Sequence, residues 1–185
     1  MKLSVKNFFN KRKKEIDPDW LYSSTVKDHF FNPQNCLVDD STFDADGYGV
    51  VGSATCGDMM AVLIKVNEGT KTISECKWKT FGCPSAVAST SMMSIMVTEN
   101  GGMSLTKARH ITPESIIARL TSLPDRKYHC SVLGHLALRE AIKDYEKQLA
   151  KKLEKRLYKI INKRKELGNV TTVEFVLNND TNLPN

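Results

Sequence analysis

No stretch of the 185 residues approaches the roughly 18 to 20 consecutive apolar side chains that a membrane-spanning helix needs, so no integral membrane span is expected. Cysteines number five, an odd count, and no Cys-x-x-Cys pair occurs, which removes zinc-finger and dithiol redox spacing from consideration. The first residues lack the apolar core of a secretory signal. Both facts argue against a secreted disulfide scaffold and for a reducing compartment that keeps thiols for metal or chemistry. Internal repeats are absent, as are low-complexity tracts other than short basic runs. What is present suits a packed core: 41% of residues are hydrophobic and 26% charged, at a length that fits one domain and an appendage.

The formal net charge of +6 hides a segregation. Residues 1–14 carry six basic side chains and no acid; residues 147–166 carry nine basic and two acidic ones, leaving the rest of the chain net negative by seven. Basic ends on an acidic body can meet RNA, anionic lipid or an acidic partner, or can simply be solvated faces. The division expected is a basic extension over 1–16, a domain over 17–146, and a basic helical extension with a short tail over 147–185.

Asp17-Pro18 has the form of an N-cap with Pro at the first helical position, and a helix through Trp20, Leu21, Val26, His29 and Phe30 would end at Asn32-Pro33. Residues 43–53, 59–66 and 72–81 read as strands, the last two joined by the turn Asn67-Glu68-Gly69-Thr70. Alternation in 72–81 sets Cys76 and Trp78 on one face and Glu75, Lys77 and Lys79 on the other, as in an antiparallel meander with one face wet. After Gly82 the pattern turns helical: Cys83 caps, Pro84 opens, and Asn100-Gly101-Gly102 stops it. Thr112-Pro113 opens a short helix to Leu120. A long helix starts near Ser131 with the stripe Val132, Leu133, Leu136, Ile142, Tyr145, Leu149, Leu153, Leu157 and Ile160, and Gly168 is its expected stop. Beyond it, residues 170–177 are β-branched enough to pair as a strand. The fold class expected is α+β: a three-stranded antiparallel sheet with helices packed on one face, plus a long C-terminal helix. The stripe past Tyr145 must pack on the body, on a second copy, or on a partner.

Three cysteines stand at element boundaries: Cys56 in a turn between strands, Cys83 at a strand-to-helix junction, and Cys130 ahead of the long helix. A helix N-terminus favours thiolate, the form that binds metal and attacks sulfur. Gly57 and Gly82 beside the sulfurs permit tight turns and close approach. With Asp58 and His129 the set offers three sulfurs, one oxygen and one nitrogen, a combination suited to zinc or iron. Spacings of 27 and 47 residues are not diagnostic, and unrelated cysteines remain an open reading at this point. Cys76 faces the core with Trp78, Cys36 is a loop bystander, and His29 is a packing residue; His110 and His135 have no evident partner.

The flanking residues carry a resemblance over about Tyr22 to Tyr145. Val26-Lys27-Asp28-His29-Phe30 with Asn32-Pro33, Gly52-Ser53 with Cys56-Gly57-Asp58-Met59-Met60, Lys79-Thr80-Phe81-Gly82-Cys83, and His129-Cys130-Ser131-Val132-Leu133-Gly134 occur in order. The chain resembles the iron–sulfur cluster scaffold family, IscU and the N-terminal domain of NifU. That resemblance implies a scaffold and carrier rather than an enzyme. It would accept sulfur from a cysteine desulfurase, bind iron, assemble a [2Fe–2S] or [4Fe–4S] cluster, and pass it to apo iron–sulfur clients. It implies Cys56, Cys83 and Cys130 as ligands, Asp58 as the residue that keeps the cluster labile, and His129 as the further ligand. Zinc could occupy the same site, as in the SufU-type sulfur relay, which is the alternative reading; that type has an insertion between the second and third cysteines that is not evident here. Leu123-Pro124-Asp125-Arg126-Lys127 departs from the family's Leu-Pro-Pro-Val-Lys, which puts the dedicated Hsp70-type chaperone in doubt. Gly134 leans toward NifU, whose further cysteine-bearing domains are not in this sequence. A homodimer is one option for the stripe. No RNA-reading aromatic signature appears, so nucleic acid is not an expected partner, and no Cys–His–Asn set supports a thiol hydrolase. Location in the cytoplasm is expected, with the mitochondrial matrix as the alternative.

Overall fold

The computed structural model describes residues 22–37, 43–53, 57–121, 123 and 128–166; at 53, 129–131 and 163–166 it describes the backbone alone. Contacts divide the chain into two compact units, Met1–Gln148 and Leu149–Asn185.

The first unit is built on a sheet of β1 (Gly47–Ser53), β2 (Asp58–Asn67) and β3 (Thr72–Phe81), antiparallel throughout and in the order β1-β2-β3. The second hairpin turns at the sequence-marked site: the Asn67 side-chain oxygen accepts the N–H groups of Gly69 and Thr70, and Lys71 takes positive φ. Period-two alternation turns Met60, Val62, Ile64 and Val66 of β2 inward, with Cys76 and Trp78 of β3. A register shift at Lys65/Val66 lets Ile73 join Cys76 on that face although they are three positions apart. Each fully buried aliphatic side chain here contributes about 1.5–3 kcal/mol.

Against this face lies α2 (Pro84–Thr98), from which Ser85 to Ser94 and then Met96 and Val97 are all buried. A helix buried on every side has no polar stripe, and its small residues let neighbours come close. Several of its hydroxyls are satisfied within it: Thr90 donates to the Ala86 carbonyl at 2.8 Å and Ser94 to that of Ser91 at 2.7 Å, whereas the buried Ser89 hydroxyl has no partner among the described residues.

One neighbour is α1 (Ser24–Phe31), which buries Val26, His29 and Phe30. Its N-cap is Ser23, whose side chain accepts the Val26 N–H, so the helix bearing those residues starts later than the Asp17-Pro18 signal implied; those two residues lie outside the described ones. Residues 34–37 then run beside β3 in a short parallel bridge at Cys36 and Trp78. The Leu37 N–H donates to the Trp78 carbonyl at 2.8 Å, and the Trp78 indole N–H donates to the Gln34 carbonyl at 2.8 Å.

Next come α3 (Leu105–Arg109), capped by Ser104, and α4 (Pro113–Arg119), whose Thr112 and Ser115 form a reciprocal capping box. The long helix α5 (Tyr128–Glu166) opens three residues before the expected Ser131. Its residues within the first unit bury Leu133, Ala137, Leu138, Ala141, Ile142 and Tyr145. The backbones of β1 and α5 meet closely: a Cβ on Gly49 would fall 2.2 Å from the Ala137 carbonyl oxygen, and one on Gly47 would fall 2.3 Å from that of Ala141.

In the second unit the described residues are the turns of α5 from Leu149 onward, with Leu153, Leu157, Tyr158 and Ile160 exposed. The expected stop at Gly168 and the strand over 170–177 lie outside the described residues.

Candidate functional site

The β1–β2 hairpin sets one wall. Its pairing ends at Ser53 opposite Asp58, so the turn between them carries Cys56, which is outside the described residues. Gly57 holds φ at +67°, a left-handed conformation that glycine adopts without the clash a Cβ brings. The chain then enters β2 at Asp58, whose side chain is only 7% exposed.

Register places the second wall beside the first. Met59 pairs with Phe81, so the residue after Phe81 lies next to Asp58. A Cβ on Gly82 would stand 3.1 Å from the Asp58 carboxyl carbon and 3.2 Å from one of its oxygens. The bare glycine is what lets the carboxylate tuck against this junction. Cys83 follows directly. It is the N-cap of α2, extended at φ −75° and ψ 168°, and Pro84 occupies the first helical position. The Cys83 side chain does not cap the helix and is partly exposed.

The start of α5 is carried to the same end of the sheet. Gly47 meets Ala141 and Tyr145, while Gly49 meets Ala137 and Ala141, so strand and helix run in opposite directions. Two strand residues cover about 6.7 Å and four helical residues about 6 Å, so the two advance in step. Continued from Gly49 to Ser53, that step reaches the first turn of α5, with His129 and Cys130. Cys130 is therefore not ahead of the helix, as the sequence suggested, but inside its first turn. The first four N–H groups of a helix lack intrahelical partners, so the electrostatic reason for a thiol at this place survives the correction. The side chains of His129 and Cys130 are not among those described. Among the described residues no group of three His, Cys, Asp or Glu side chains could hold a metal ion; Asp58 and Cys83 are the two members of the set whose side chains are described.

The chain matches the model of the NifU-like N-terminal domain over residues 21–152, well over half its length. The chain belongs to that family. It is 40% identical over 148 residues to the iron-sulfur cluster assembly scaffold protein IscU 1 of Archaeoglobus fulgidus, a match covering 80% of this chain and 86% of that one. It is 44% identical over 126 residues to iron sulfur cluster assembly protein 1, mitochondrial, of Candida glabrata, covering 68% of this chain and 57% of the relative. Among solved structures, a nitrogen-fixing NifU-like protein (N-terminal) from Brucella abortus shares the fold at TM-score 0.50 and 16% identity, over 68% of this chain and 94% of that one.

Within this NifU-like domain Cys76 and His29 are buried and Cys36 is partly buried. Burial pushes the Cys76 thiol up to about 12, against a smaller opposing effect of Lys77, and raises that of Cys36, which Lys79 partly offsets. His29 is held below its ordinary value, mostly by burial, with Asp28 pulling it up and Arg119 pushing it down; its Nδ1 lies 2.8 Å from the Ser91 hydroxyl.

The second face of the sheet was not legible as a functional feature. A wet, polar face was expected; instead Tyr48 is 51% exposed, Val50 42%, Met59 52% and Phe81 76%. Tyr48, Met59 and Phe81 border a shallow groove of about 550 Å³ that also takes in Ala61, Leu63 and Lys79. Phe81 is two residues from Cys83, and Met59 adjoins Asp58, so this apolar face runs up to the site. The signal was in the sequence: β2 is apolar at Met59, Ala61 and Leu63 as well as at the alternate positions, which is more than a strand with one buried face requires.

Proposed function

We propose that the protein is a scaffold and carrier, not an enzyme, on which an iron–sulfur cluster is assembled as cargo and then released to apo-proteins. The observation that carries this reading is the junction at one end of the sheet. There Asp58 at the start of β2 packs against Gly82, and Cys83 stands at the N-cap position of the central helix α2, in a chain belonging to the NifU-like family. Cys56, Cys83 and Cys130 supply the sulfur ligands in this reading, with His129 as a further donor.

The roles follow from donor chemistry. Thiolates are soft ligands suited to iron–sulfur clusters and zinc, and they attack sulfur. Sulfur arrives when one of these thiolates attacks the outer sulfur of a persulfide on a cysteine desulfurase. The donor's S–S bond breaks and its cysteine leaves as thiolate; an external reductant then supplies the two electrons that take this sulfur to sulfide. Asp58 is a hard ligand beside a soft-metal site. It weakens the hold on the cargo, which a carrier must give up.

Sulfur donor and clients must each reach the site in turn. The apolar face of Tyr48, Val50, Met59 and Phe81 is the surface they would cover, because exposed apolar patches of this kind mark interaction sites. The cargo we assign is a [2Fe–2S] cluster, with [4Fe–4S] as the larger alternative. We place the protein in the cytoplasm or the mitochondrial matrix. No helix among the described residues is long and apolar enough to cross a membrane.

The test is anaerobic reconstitution with iron, cysteine and a desulfurase, followed by visible absorption, Mössbauer spectroscopy and metal counting. Charge-transfer bands that disappear in Cys83→Ser and outlast wild type in Asp58→Ala support the scaffold. A shorter cluster lifetime in Asp58→Ala refutes the role given to the carboxylate. Zinc retained throughout, with sulfur transfer intact, replaces the scaffold by the zinc relay.

A further inference from the structure

We propose that the turns of α5 beyond Gln148 are a basic amphipathic helix that docks on the surface of an anionic lipid bilayer. This does not rest on the scaffold reading, since none of the cluster residues belongs to the second unit.

At about 100° per residue, Leu149, Ile160, Leu153, Leu157 and Ile161 fall within one sector of about 120°. That sector is open to solvent: Leu153 is 55% exposed, Leu157 47%, Ile160 56% and Ile161 37%. Lys151, Lys155, Lys159, Lys152 and Arg156 fill a contiguous sector of about 140° on the other side. Glu154, the one acid of residues 149–162, stands at the border between the two sectors. A helix with aliphatic side chains on one side and cations on the other has the two chemistries of a headgroup interface. The apolar side enters the acyl boundary, and lysines reach outward along their methylene stems to anionic headgroups.

Other occupants match only half of this surface. RNA would satisfy the cations and leave four half-exposed aliphatic side chains in water. A second copy packed through the apolar side would leave the five cations of each helix without a partner, and a sector this wide exceeds the narrow seam of a two-stranded coil. A protein groove takes its affinity chiefly from aromatic anchors; this sector contains only Leu, Ile and Ala150, and the exposed Tyr158 lies outside it.

The experiment is flotation of the full chain with large unilamellar vesicles, either of phosphatidylcholine alone or with about 30% phosphatidylserine. Wild type should float at least about tenfold more with the anionic vesicles and should be released by raising salt from about 0.1 to about 1 M, which shortens the screening length from about 10 to about 3 Å. Leu153→Gln/Leu157→Gln, which keeps good helix formers, and Lys151→Gln/Lys155→Gln/Lys159→Gln should each lose most of that binding. Equal flotation with both vesicles, or flotation indifferent to the leucine pair, overturns the proposal. So does absence of flotation, and three results then say what the surface does instead: retention on an RNA oligonucleotide that survives the leucine changes, a dimer in sedimentation that the leucine changes dissolve, or a thermal midpoint that they lower, which would mean the chain covers the stripe itself.

Discussion

Gly49→Ala tests the contact on which the placement of the third cysteine depends. A methyl group at this position would sit 2.2 Å from the Ala137 carbonyl oxygen and 2.4 Å from the Ala141 nitrogen. Both are backbone atoms of one helix, so no side chain can swing aside. Restoring an ordinary contact of roughly 3.5 Å requires β1 and α5 to separate by more than about 1 Å. A gap of that size forfeits between about a quarter and a half of each dispersion contact along the seam. That seam includes Ala137, Leu138, Ala141 and Ile142, all at 0% exposure. Overpacking commonly costs about 1–3 kcal/mol, and a double backbone clash belongs at or above the top of that range.

The control is Gly52→Ala on the same strand. Its Cβ would meet nothing nearer than 3.7 Å, and its φ is not left-handed. There the substitution only narrows the unfolded ensemble, so it should be neutral or stabilising by up to about 1 kcal/mol. Guanidinium unfolding followed by circular dichroism compares the two. With a slope of about 4 kcal/mol/M, a loss of about 3 kcal/mol moves the midpoint of Gly49→Ala down by roughly 0.75 M, while that of Gly52→Ala stays or rises. Equal midpoints within about 0.2 M, corresponding to about 1 kcal/mol, would refute the close approach of β1 to α5 and with it the argument that register brings Cys130 to the site.

Phe81→Ser removes the most exposed large apolar side chain of the open sheet face, so its stability should stay within about 0.5 kcal/mol of wild type. Its affinity for a cysteine desulfurase, read by calorimetry, should fall at least tenfold, and an unchanged affinity removes that face as the docking surface. His29 is held below its ordinary value by burial, so its contribution to stability is complete above the unfolded value of about 6.5 and is lost as pH falls toward the lower folded value. Wild type should therefore lose more stability between about pH 7 and pH 5 than His29→Gln does, and parallel profiles contradict this. Cys76, pushed up to about 12 by burial, should resist iodoacetamide at pH 8 until the protein unfolds, as mass spectrometry of the labelled peptides would show; labelling in the native state would place the thiol at the surface.

The strands and α2 were legible because their signals are local. Alternation, the Asn67–Thr70 turn and the Cys83-Pro84 start each occupy a few adjacent residues. The five-residue α3 was missed because one turn of helix has no period to detect. The early start of α5 was missed because Tyr128, His129 and Cys130 interrupt the apolar stripe that marks the rest of it. The site was legible as a set of residue types with an expected chemistry, but not as an arrangement. That Asp58 lies against Gly82 follows from pairing Met59 with Phe81, which are 22 positions apart. No one-dimensional pattern carries such a register, nor the seating of Gly49 on Ala137. The open apolar face was hidden for a different reason. An apolar outward position in a strand looks like an inward one until a partner layer is seen on one side only.

For the proposed scaffold role, the position of Cys83 bears on how a cargo would be held and released. Cys83 terminates a helix that is buried on all sides, so its backbone cannot move without disturbing the core formed by Ala86, Ala88, Met93 and Val97. Asp58 is different. It is buried too, but it begins a strand directly after Gly57, on which a Cβ would meet nothing among the described residues within 4 Å. One wall is thus fixed by the core, and the other is joined to a surface turn. Stability concentrates where burial is greatest, and binding loops come from its low end. In the proposed role, a thiolate on the fixed wall would preserve the geometry that selects the cargo. In the proposed scaffold role, the carboxylate on the wall joined to the surface turn is the ligand placed to give way, an asymmetry that a permanent metal centre, whose ligands are all locked by packing and by the hydrogen bonds behind them, does not need.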